Sequence, residues 1–221
     1  MNAELELAVE LKRLLLSGAV ARLSDGVVKA EVPTLTGRQR AACQIEQPAA
    51  ALAVAESLTC GRVQAAIGAV SGASQFFLGG VTAYTGAQKV ALLGVSHAEG
   101  ESVNWVSASV AEQMARGAAR LFGSDFALAT TGYAEPAPER GVHEPFAWWA
   151  LAQRKRRSGG GGFSGDEIAE YVGRSERVDC PGCSRVEVQK AVTAAALMGL
   201  REYLVGLLAK PDRPPKGGPH K

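Results

Sequence analysis

The chain has 221 residues, 47% hydrophobic and 21% charged, enough apolar material for one sizeable core with insertions and tails. A formal charge of +2 argues against a broad nucleic-acid-binding face: the positive excess is confined to Arg154–Arg157 and a Pro/Gly-rich tail from Lys210. No apolar run is expected to span a bilayer and the N-terminus lacks the pattern of a secretory leader, so a soluble, cytoplasmic protein is expected, in which Cys43, Cys60, Cys180 and Cys183 imply free thiols or a metal rather than a disulfide framework.

Residues 4–16 alternate acids with leucines at helical spacing, and Gly18 is a stop signal. Residues 19–48 carry mixed turn and strand signals and are read as an insertion. The apolar run 50–56 predicts a buried strand, followed by a helix after Gly61. A second strand is predicted over 80–85, and Gly86 opens a helix through Leu93. A helix starting at Ser107 or Ser109 runs through Phe122, with Ser109 and Glu112 at capping-box spacing. Strands are predicted over 126–131, over 146–153 and around 176–179. Between the last two lies a second insertion, about 154–175, with four consecutive glycines and a short helix, DEIAEYV. A helix from Val186 to about Leu208 closes the pattern, before a disordered basic tail over 210–221. Helices interleaved with well-separated strands predict an α/β fold over residues 1–209: a single domain with insertions, its helices layered around a mixed β-sheet.

Candidate chemistry concentrates between Ala55 and Val95. Ser57, Thr59 and Gly61 follow a strand and open a helix, where unpaired N–H groups and the helix dipole suit an anion such as phosphate; the same hydroxyls could simply cap the helix. Ser74 sits in a Gly/Ser turn. A serine hydroxyl needs a base to become a nucleophile, and Lys89 could supply one if burial lowers its pKa, with Tyr84 relaying a proton. The bland alternative is a turn serine, a surface lysine and a core tyrosine. Thr131-Gly132 ends another strand, where ligands gather in α/β sheets. Cys180-Pro-Gly-Cys183 precedes a helix, a position that lowers a thiol pKa, and could be half a zinc site or a redox pair, but no further cysteine or histidine stands at zinc-ligand spacing and reduced thiols in a turn are the default reading. No metal and no cofactor is expected.

The order of these features resembles the CinA C-terminal domain family, the nicotinamide-nucleotide amidases. The family's AESCTGG stands here as AESLTCG at 55–61. Its GSS stands as Gly72-Ala73-Ser74, its TYS as Ala83-Tyr84-Thr85, and its NEAK as Gly86-Ala87-Gln88-Lys89. The TGIAGP loop stands as Thr131-Gly132-Tyr133-Ala134-Glu135-Pro136. The resemblance implies a three-layer fold, Ser74 as nucleophile activated by Lys89 and Tyr84, and Ser57, Thr131, Gly132 and Arg185 as groups holding a nucleotide. It implies hydrolysis of nicotinamide mononucleotide to nicotinic acid mononucleotide and ammonia by a homo-oligomer, with a small phosphorylated substrate and neither nucleic acid nor membrane as partner. This chain departs from the pattern at Leu58, Cys60, Glu135, Ala147 and Cys183-Ser184, so the implied trio is intact while the binding loops are altered, a pattern that fits an amidase with a changed substrate or, as the alternative, a catalytically degenerate member acting as a nucleotide-binding or protein-interaction module.

Overall fold

The computed structural model describes residues 3–17, 20, 50–155 and 171–209. The first insertion apart from Val20, most of the second with its glycine run and the start of its expected helix, and the C-terminal tail lie outside the described residues. Helix α1 spans Ala3–Leu15. Strand β1 (Leu52–Glu56) leads into α2 (Arg62–Gly68). A short 3-10 turn, Ala73–Gln75, precedes β2 (Phe77–Thr82). Helices α3 (Gly86–Leu93), α4 (His97–Ser102) and α5 (Ala108–Phe122) follow, then β3 (Phe126–Tyr133), β4 (Phe146–Arg154), β5 (Tyr171–Asp179) and α6 (Arg185–Leu208).

The five strands form one mixed sheet in the order β2-β1-β3-β4-β5. β1 runs parallel to β2 and β3, while β4 and β5 are antiparallel additions. The expected α/β layering is therefore present. Its two faces follow from alternation within the strands. Leu52, Val54, Phe126, Leu128, Trp149 and Leu151 point toward α1, α2 and α6 and make the thick half of the core. Ala53, Ala55, Ala127, Ala129, Ala150 and Ala152 point the other way, and their small side chains let α5 lie close, with Val110, Met114 and Ala118 against the sheet.

Several boundaries differ from expectation. β2 begins at Phe77 and ends at Thr82, so Tyr84 is in the following loop, where it can reach the end of the sheet. Ser107, not Ser109, caps α5 by accepting from the Val110 N–H, and the Ser109 hydroxyl accepts from Gln113 instead. Tyr171 and Val172, expected at the end of a helix, are strand residues paired with Arg154 and Gln153. Helix α6, at 24 residues, is long and apolar enough to cross a bilayer by length and composition, contrary to the expectation that no apolar run would be. Its inner face, including Val188, Val192, Leu197, Leu200 and Leu204, is spent on the core of the α/β layer.

Candidate active site

The C-terminal ends of the parallel strands open into a cleft of about 470 Å³, lined in part by Ser57, Tyr84, Lys89, Trp105, Glu135 and Arg185. Lys89 lies at its floor. Thr85 caps α3 by accepting from the Gln88 N–H, which turns Lys89, in the first turns of the helix, toward the sheet. The lysine is only 3% exposed. Its amine donates to the Trp105 carbonyl at 3.0 Å and to the Thr131 hydroxyl at 2.9 Å, and Thr131 in turn donates to the same carbonyl. Among the described residues no carboxylate pairs with it, so burial acts unopposed and lowers its pKa from 10.5 to about 8. The carbonyl that anchors it depends on an unusual turn. Asn104 and Trp105 both have positive φ, 50° and 64°, a conformation that costs non-glycine residues energy and recurs at functional sites. The indole packs over Gly86, where a Cβ would stand 2.2 Å from the ring.

Ser57 directly follows β1. Because Glu56 pairs with Thr130, Ser57 comes opposite Thr131, on the same face of the sheet and one strand spacing away, about 4.8 Å between backbones. That puts the serine beside the group that holds Lys89. The serine is 6% exposed, and its hydroxyl makes no hydrogen bond to another described residue. Thr59 belongs to a different environment. It is fully buried, and its hydroxyl is 2.6 Å from that of Thr130 on the opposite face, so it does not line the cleft.

The anion site expected at the start of α2 is already filled by the chain. The buried Glu56 carboxylate accepts from the N–H groups of Gly61, Val63 and Gln64, at 2.9, 3.2 and 2.9 Å. Those are the free donors of a helix N-terminus, so neither a bound phosphate nor the hydroxyls of Ser57 and Thr59 cap it. Cys60, where the family has glycine, has φ 51° in this turn.

Ser74 is exposed in the turn before β2, at the opposite end of the sheet from the cleft. The whole length of β2, six residues and roughly 20 Å, separates it from the loop that carries Tyr84. A single chain therefore does not bring Ser74 to Lys89. Tyr84 is at the cleft mouth and its hydroxyl accepts from Arg185 at 2.7 Å. The other arm of that guanidinium donates to Glu135 at 2.5 Å. Gly132 lines the cleft at the close β3–β4 crossing, where a Cβ would meet the Ala147 backbone and methyl group at 2.5 Å.

The cysteine pair occupies a turn in which the Cys183 N–H donates to the Cys180 carbonyl. Cys180 is buried, and burial raises its pKa, contrary to the lowering expected ahead of a helix. No cluster of His, Cys, Asp and Glu suited to a metal occurs among the described residues. Sequence reasoning missed Asn104, Trp105 and the pair Glu139–Arg140 at the cleft. No glycine marks the strained turn, and the carbonyl that holds Lys89 has no side-chain signature.

Residues 36–159 match the family model described as the CinA C-terminal domain. A CinA-like protein of Shewanella sediminis is 33% identical over 186 residues, covering 83% of this chain and 39% of that protein. A CinA-like protein of Picosynechococcus is 51% identical over 85 residues, 38% of this chain and 20% of the relative. The chain thus matches between a fifth and two fifths of the length of these relatives. The crystal structure of competence damage-inducible protein A from Klebsiella pneumoniae superposes with a TM-score of 0.67 at 24% identity, covering 92% of this chain and 98% of the other. That of CihA from Agrobacterium tumefaciens gives 0.59 at 22% identity, covering 94% and 96%.

Proposed function

The chain belongs to the CinA C-terminal domain family, and on that premise we propose that its cleft hydrolyses a carboxamide C–N bond, with Ser57 as nucleophile and Lys89 as base. The observation that carries this reading is a buried lysine, held by Thr131 with no carboxylate partner among the described residues and its pKa lowered to about 8, in one cleft with a serine one strand spacing from Thr131 whose hydroxyl bonds to no described residue. A lysine in that state has a substantial neutral fraction near physiological pH and can accept a proton. In the reaction, the Ser57 hydroxyl would transfer its proton to the Lys89 amine as its oxygen attacks the carboxamide carbon. Collapse of the tetrahedral adduct breaks the C–N bond, and the Lys89 ammonium returns the proton to the departing nitrogen, which leaves as ammonia. Water then attacks the serine ester, giving its proton to Lys89; the acyl C–O bond breaks, the Lys89 ammonium returns the proton to the Ser57 oxygen, and the acid leaves as its carboxylate. The N–H of Leu58, directly after Ser57, donates to no described residue and is available to the developing oxyanion. Arg185 and Tyr84 at the mouth would orient the rest of the substrate.

Ammonia release from nicotinamide mononucleotide and from its unphosphorylated riboside tests the reading. Ser57→Ala is expected to abolish release, whereas Ser74→Ala leaves most of it. The reverse result would mean that Ser74 is the nucleophile, delivered by a second copy of the chain, since one chain holds it at the far end of the sheet. The occupied Arg185 favours a second reading: a cleft that binds a carboxamide ligand without turning it over. Saturable binding of both compounds with no ammonia from either would support it.

A further inference from the structure

The cleft contains three cations, and their partners limit what it can bind. Lys89 is at the floor, held by a carbonyl and a hydroxyl. At the mouth, Arg185 is shared between Glu135 and Tyr84, and Arg140 lies 3.8 Å from Glu139. Glu135, Glu139 and Arg140 all come from the loop between β3 and β4, so the carboxylates are built into the wall of the cleft. A phosphate monoester needs donors without competing acceptors. Here it would have to displace Glu135 from Arg185, and the displaced carboxylate, carried by a residue that lines the cleft, would stay on the same loop. A ligand without a phosphate meets no such conflict at Arg185. It can leave the Arg185–Glu135 pair in place and use the second oxygen of Glu135 as counter-charge or as acceptor for a sugar hydroxyl.

We propose that this cleft selects a phosphate-free carboxamide over its phosphorylated form, and that Glu135, by occupying Arg185, is the residue that rejects the phosphate. The proposal rests on the carboxamide-hydrolase reading for its reaction, but the selection itself is a property of binding. A carboxylate about 6 Å from a phosphate, at an effective dielectric near 20, weakens binding by at most about a hundredfold per unit charge, and solvent screening of this half-exposed pair brings the effect to about tenfold.

The test compares nicotinamide riboside with nicotinamide mononucleotide at low salt, on the full chain and on Glu135→Gln, which keeps the side-chain volume and removes the charge. Both kcat/KM for ammonia release and Kd by calorimetry are measured. The unmodified chain is expected to prefer the riboside by tenfold or more, and Glu135→Gln to shift the ratio toward the mononucleotide by tenfold or more, in KM rather than kcat. A preference for the mononucleotide in the unmodified chain, or a ratio that Glu135→Gln does not move, would overturn the proposal. If neither compound releases ammonia, the hydrolase reading fails, and the ratio of the two Kd values still decides the selection. Failure of both compounds to bind at millimolar concentration would also overturn it.

Discussion

Lys89 offers a measurement in which catalysis and stability pull in opposite directions. In the unfolded chain its amine titrates near 10.5, and in the fold near 8. Between those values the unfolded state holds the extra proton, so stability rises with pH through the window and the burial cost is at full strength below it. The size of that cost is 1.36 kcal/mol for each tenfold change in acidity, or roughly 3 kcal/mol at pH 7. Lys89→Met, of similar length, removes the charge and also two hydrogen bonds, each worth about 1 kcal/mol. The Trp105 carbonyl keeps its bond from Thr131, so no buried acceptor is orphaned. The variant should therefore be more stable than the unmodified chain at pH 7 by about 1–2 kcal/mol, while releasing no ammonia. At pH 10 the lysine is largely neutral in the fold, and the advantage should vanish or change sign. Urea unfolding of both proteins at the two pH values reads this directly, since every other titrating group is common to both. A less stable variant at pH 7, or the same gap at both pH values, would show that Lys89 remains an ordinary charged lysine and would remove the basis for its role as base.

Two further outcomes follow from the turn after β1. Cys60→Gly should stabilise the chain by about 1 kcal/mol, because the cysteine holds φ 51° where glycine is unstrained, and thermal unfolding will show whether it does. Glu56→Gln should destabilise it by about 2–3 kcal/mol, read by urea unfolding: the amide turns one acceptor into a donor facing the N–H groups of Gly61, Val63 and Gln64.

Much of the architecture was legible because it is written in local periodicity. The alternation of large residues with alanine in LAVAE and FALATT specifies both faces of the sheet, and the spacing of Val110, Met114 and Ala118 specifies the inner face of α5. The resemblance in AESLTCG, TAYTGAQK and TGYAEP named the family and, with it, Ser57, Tyr84, Lys89 and Gly132, which line one cleft with Arg185, while the Ser74 it also named does not. What the sequence could not carry was the pairing of groups distant along the chain. Whether Lys89 is buried without a counter-ion depends on Trp105 and Thr131 meeting it from other elements. Whether Glu135 faces a ligand or an arginine depends on the approach of α6. The separation of Ser74 from Lys89 follows from β2 starting at Phe77, three residues earlier than local signals suggest, which leaves the serine and the tyrosine at opposite ends of one strand. The filling of the α2 N-terminus by Glu56 has the same origin. A strand carboxylate became the helix cap only because the tight turn at Cys60-Gly61 folds the helix start back over it.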